Sequence, residues 1–189
     1  MPGELNAEEV VVAGNGAIWI APKGSAVPAT AVATPSNDWI NLGFLDEDGV
    51  DLTAGAEWNK IMAWQSLFPI RRVAGERELT LGMKLMQWNS STVPFAFGGG
   101  EVVQESAGNF RYNPPSPGDI DERMMLVDWN DGDKNYRWVI LNGMVSDDVE
   151  TNLTRADASK LGISFTVNGV GDEVPWFLRT NDPAFQPLL

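Results

Sequence analysis

The residues with the types and spacing for chemistry are mostly acids. "GFLDEDGVDLTAG", Gly43 to Gly55, sets Asp46, Glu47, Asp48 and Asp51 around one Asp-Gly step. "DWNDGDKN", Asp128 to Asn135, repeats the idea. A helix-flanked calcium loop needs acids at alternate positions, glycine at the sixth and glutamate at the twelfth. Counting from Asp128 puts Gly132 fifth, and counting from Asp46 puts Gly49 fourth. Neither stretch adjoins a helical pattern, so both are expected to be hairpin turns and no metal site is expected. Paired carboxylates could also serve a glycosidase, and 26 acids with eight tryptophans supply the residue types. An acidic chain always offers acid pairs, however, and tryptophan more often fills a core or an interface. "GNGAIW" has Gly14 and Gly16 but lacks the third glycine and the βαβ unit of a dinucleotide loop. The chain has neither histidine nor cysteine. That removes histidine-based triads, imidazole and thiolate metal ligands, and disulfides. Nothing here points to an enzyme, and no cofactor is expected.

The elements that carry these residues are β-rich. The 189 residues suit one domain with arms, and 43 % hydrophobic content is enough for a real core. Thirteen bases against 26 acids leave a net charge of −13, which repels phosphate backbones and argues against tight nucleic-acid binding. No charged-then-apolar leader follows Met1, and no apolar run nears the roughly 18 residues of a membrane span. A soluble protein made in a cytoplasm, with no membrane partner, is the expectation.

"MPGELNAEE" reads as an N-terminal arm over residues 1–9. "VVVAGNGAIWIAP" predicts two β-runs broken at Asn15-Gly16, and "KGSAVPATAVATPSND" a loop. "WINLGFL" and "VDLTAG" predict short strands joined by the Asp46–Gly49 turn. In "ERELTLGMKLM", Leu79, Leu81, Met83 and Leu85 alternate with Glu76, Glu78, Thr80 and Lys84 around a half-buried strand. Asn89, Ser90 and Ser91 open a short helix that a glycine triplet stops, with Pro94 in its first turn. "RMMLVDW" and "YRWVILNGMV" predict strands joined at Asp-Gly, the second apolar on both faces and therefore central or covered by a partner. "KLGISFTVNG" predicts another half-buried strand. The last stretch, with three prolines, is too broken for a core strand and reads as a C-terminal extension over residues 169–189. The prediction is a mainly-β sandwich or barrel, residues 10–168, with one flanking short α-helix and extended N- and C-terminal arms.

The order of motifs resembles the major tail proteins (tail tube subunits) of long non-contractile-tailed bacteriophages, those of actinobacterial hosts in particular. "GAIWIAPKGSAVP", "WINLGFLDEDGV", "IMAWQSLFPIRR", "ERELTLGMKLMQWNSSTVPFAFGGG" and "DASKLGISFTV" carry the likeness in that order. The resemblance implies a tail-tube-type fold and hexameric rings stacked into a tube that conducts double-stranded genomic DNA from capsid to cell without binding it tightly. It implies a virion protein assembled in the host cytoplasm. Its expected partners are further copies of itself, a tape-measure protein, and tail terminator and distal tail proteins. It brings no catalytic or cofactor residues. A β-sandwich binding module, associated with a phage tail or a glycan, is the alternative.

Two sets of residues follow. Repulsion screened beyond about 8 Å would keep DNA from sticking to an acidic wall, and Glu76 and Glu78 are candidates to line the bore, against the alternative of an outer solvated face. Residues 57–74 lack a clean period and are rich in Trp, Phe and Arg. They are expected to form a long loop docking on the next ring, with Trp64 and Phe68 as anchors and Arg71 and Arg72 meeting acids across the joint. The alternative is a hairpin folded on its own core.

Overall fold

A computed structural model describes residues 5–187. Residues 1–4 of the expected N-terminal arm and residues 188–189 of the C-terminal extension lie outside them. The chain is mainly β. The strands are β1 (Asn15–Pro22), β2 (Ile40–Asn41), β3 (Leu45–Ile61), β4 (Arg71–Leu85), β5 (Glu101–Ser106), β6 (Asn109–Asn113), β7 (Arg123–Asp131), β8 (Lys134–Val145), β9 (Glu150–Thr151), β10 (Leu161–Val167) and β11 (Trp176–Thr180). One short helix, α1 (Thr92–Ala96), follows β4.

Nine strands join one antiparallel sheet in the order β2-β1-β7-β8-β10-β4-β3, with β11 along β8 and β9 along β10; β5 and β6 form a separate hairpin. The sheet turns at β8. Up to Ile140 its edge pairs with β11, and from Gly143 onward the same edge pairs with β10. A register shift against β7 falls between these two stretches, and such bulges bend a strand. Gly143 permits the switch, because a Cβ there would lie 2.4 Å from the Phe165 ring. Ile18 and Ile20 of β1, Met125 and Val127 of β7, and Ile140 of β8 therefore share one core with Leu81 and Leu85 of β4, Phe165 of β10, and Phe95 of α1.

The alternation expected on β4 is present, with Leu79, Leu81, Met83 and Leu85 all buried. β8 is apolar on both faces because its outer face has its own cover. There Leu126 and Val139 pack with Trp39, while Phe177 of β11 lies against the same cluster. The proline-containing loop, residues 23–39, is tied down by Arg137, which donates to the carbonyls of Thr30 and Ala33 at 2.9 and 2.7 Å. Arg137 is 3 % exposed. It also grips Asp128 through two nitrogens at 2.6 and 2.8 Å, the fork geometry suited to a carboxylate.

Three expectations need correcting. Val10–Val12 forms no strand but runs as an exposed segment, its Val12 amide donating to Asp131 at 3.0 Å. The C-terminal extension does supply a sheet strand: β11 uses five of the seven residues between Pro175 and Pro183, where no backbone donor is missing. Asp46–Gly49 does not join two strands. It is an outward bulge within β3, lying between the pairs Leu45–Leu85 and Val50–Met83.

Candidate assembly site

Two of the bulge acids are paired with lysines distant in sequence. Lys160 donates to Asp46 at 2.8 Å and Lys84 to Asp48 at 2.8 Å. The Lys160 hydrogen bond holds the Asp46 carboxyl below its ordinary range, and Asp48 raises the Lys84 ammonium. Among the described residues no three acids gather in an arrangement fit for a metal.

The unusual element is the hairpin β3–β4. β4 pairs with β10 only from Thr80 to Leu85. Toward the turn, its strands have only each other, through pairs from Ala54–Leu79 out to Ile61–Arg71. A two-stranded ribbon is marginal by itself in water, and this one is exposed on both faces from Thr53 to Glu78 apart from its turn. The strands run farther than the sequence predicts. The expected long loop, residues 57–74, is ribbon as far as Ile61 and again from Arg71, so only residues 62–70 are turn. The Ser66 hydroxyl orders that turn, donating to the Phe68 carbonyl at 2.8 Å and accepting from the Phe68 amide at 3.2 Å.

What the turn presents is apolar. Trp64 is 99 % exposed, Leu67 95 % and Phe68 79 %, with Ile61, Met62 and Ile70 exposed beside them. Behind this tip, Lys60 stands directly across from Arg72, and Arg71 across from Ile61. Like charges placed opposite each other destabilise a ribbon. From Trp58 to Gly75 there are three cations and no acid, in a chain whose net charge is −13. None of the three forms an ion pair among the described residues. Sequence reasoning singled out Trp64, Phe68, Arg71 and Arg72, and the structure brings all four to one tip. It missed Lys60, Leu67 and Ile70, which the acid-free run of sequence could have flagged.

Glu76 and Glu78 lie on the same hairpin, lower down and exposed. Glu78 pairs with Gly55. It shares the non-core face with Thr80, whose neighbours across the strands are Thr53 and Thr166. Glu76 sits within a second register shift, between Ala56–Arg77 and Trp58–Ala74.

Among the described residues the hairpin tip exposes a cluster of large apolar side chains, the kind of patch that marks an interaction site. Comparison with known families agrees: a family model described as a phage tail tube protein matches residues 4–187. The chain belongs to the phage tail tube protein family. No curated protein sequence matches it. A tail tube protein is a structural component of the virion tail, not an enzyme, and works by assembling into a tube with other tail proteins. The mainly-β sheet with one short helix fits that family, and the hairpin is its candidate assembly surface.

Proposed function

We propose that this tail tube protein forms hexameric rings that stack into the tube of a long non-contractile tail, and that the tube conducts double-stranded DNA through an acidic bore. The exposed apolar hairpin carries the reading: Trp64, Leu67 and Phe68 have no cover among the described residues. On this reading Trp64 and Phe68 anchor one ring on the next, and Arg71 and Arg72 meet acids of the neighbouring copy. The non-core face of β3, β4 and β10 faces the bore. It is polar, carrying Asp51, Thr53, Glu78, Thr80, Lys84 and Thr166, whereas Trp39 and β11 help cover the far half of the sheet. Duplex DNA bears one charge per roughly 1.7 Å, so an acidic wall repels it and lets it slide. Assembly takes place in the host cytoplasm, with a tape-measure protein and with terminator and distal proteins at the tube ends.

Electron microscopy of the purified chain across a concentration series tests this. Rings or uniform hollow tubes with sixfold end views are expected. Monomers at every concentration, with and without the proteins that start the tail, would overturn it.

A further inference from the structure

A cleft of about 810 Å³ opens between β1 and the start of β3, some distance from the hairpin tip. Its lining includes Ile18 and Val127, the tryptophans Trp129 and Trp138, and Phe44. Phe44 is 73 % exposed although it sits at the mouth of an apolar cleft. The two tryptophans belong to a longer aromatic row. Trp129 stacks on Tyr136 and meets Trp138 edge-on, both at 5.3 Å, and Trp138 meets Trp176 at 6.2 Å. Such a row, half-open to water, has the composition of an interface centre.

We infer that this cleft is the seat for the hairpin tip of a second copy of the chain, a step that rests on the docking role proposed for the hairpin. Three observations name the occupant. The cleft has the size that seats a drug-sized molecule, which leaves room for Trp64 with an apolar neighbour. The tip carries Lys60, Arg71 and Arg72 without an acid, so the rest of the chain holds all of its acidic surplus. At the cleft rim Asp46 is bound to Lys160 and Asp128 to Arg137, while exposed Glu47 has no ion-pair partner among the described residues and is free to receive a cation. Finally, the tip cannot serve its own cleft. Leu45 stands at the cleft and the tip begins after Ile61; their partners on β4, Leu85 and Arg71, lie 14 positions apart (85 − 71). At ~3.3 Å per residue that separates them by roughly 46 Å. A tip on one end and a seat on the other make a head-to-tail contact, the kind that propagates along an axis rather than closing on itself.

The absence of native cysteine makes the test clean. Phe44→Cys is combined in turn with Leu67→Cys and Phe68→Cys, all at exposed positions. Tubes are assembled, checked by microscopy, oxidised and run on a denaturing gel without reductant. At least one pair is expected to give a ladder of disulfide-linked multimers, since each copy has one tip and one seat. The single variants should give no ladder. Tubes that form with both pairs but stay monomeric on the gel would overturn the cleft assignment and leave the hairpin's docking role standing. Wild-type levels of tube from Trp64→Ala would instead overturn the docking reading itself.

Discussion

Replacing Trp64 with alanine separates the cost of folding the chain from the cost of joining copies. In the isolated chain the side chain is 99 % exposed, so its removal takes away almost no packing. An exposed substitution of this kind stays within about 0.5 kcal/mol, which for a domain of this size moves Tm by only about 1–2 °C. In the assembled tube the same residue is proposed to be buried. A tryptophan covers roughly 150–250 Å², and at about 25 cal/mol per Å² that is ~4–6 kcal/mol before the costs of association. Hot-spot truncations retain about 2–4 kcal/mol of such a sum. At 1.4 kcal/mol per factor of ten, the concentration at which tubes appear should rise roughly 30- to 700-fold. Pelleting across a dilution series gives that threshold, and thermal unfolding gives Tm in the same buffer. An unchanged threshold would refute the docking role. A Tm lowered by ten degrees would refute the claim that the ribbon is uncovered in the free chain.

Other outcomes follow from the same geometry. Gly143→Ala places a methyl 2.4 Å from the Phe165 ring and 2.6 Å from the Thr166 carbonyl; it should cost about 1–3 kcal/mol, seen as a lower Tm in a chain that still folds, and an unchanged Tm would contradict the switch at β8. Glu76→Lys with Glu78→Lys should leave tubes intact but slow DNA release from virions, with added salt relieving the delay; release at the normal rate would remove these residues from the bore. The Tyr136–Asp182 pair predicts pH dependence at both extremes. The Tyr136 hydroxyl, followed by the Ala184 amide, holds the Asp182 carboxyl below its ordinary range, so this stabilisation is present above about pH 4 and lost as pH falls through the folded value. The Asp182 carboxylate, with burial next, pushes Tyr136 up to about 12, so its contribution is complete below about pH 10 and lost as pH rises from there toward that value. Tyr136→Phe should begin acid unfolding at a higher pH and flatten the alkaline limb, and superimposable profiles for the two proteins would rule the linkage out.

Where burial is one-sided within the chain, the sequence reports it well. Leu79 to Leu85 and Leu161 to Phe165 alternate because one face of each strand meets the core, and that contrast is written residue by residue. The Asn130–Asn135 hairpin was legible for a different reason. Asp131 and Lys134 pair across a two-residue turn whose Gly132 has φ 57°, and an Asp-Gly step supplies that geometry readily. The Asp46–Gly49 stretch carries the same signal and misleads. Gly49 does take a positive φ of 74°, but Lys84 and Lys160 come from distant sequence to fold the acids into a bulge, which local propensity cannot foresee. The ribbon beyond Thr53 was hidden more deeply. Water bathes both of its faces in the single chain, so no in-and-out period exists to be read. For the same reason Trp64 and Phe68 stand out in the sequence by their types, while the ribbon that carries their turn does not.

The apolar tip also has a consequence for timing. A colloid that is repulsive at long range and sticky at contact does not coagulate freely; it waits behind a barrier until a template lowers it. This chain combines both properties: a strongly negative body and a small greasy, cationic point at the end of a stalk. Chance encounters between free subunits are mostly encounters of body with body, and these are turned away. If tip and seat meet as proposed, a preformed end that offers several seats at once captures the stalks one after another, and growth outruns spontaneous clumping. The length of the product is then set by how many ends exist and what stops them, rather than by how much subunit the cell makes.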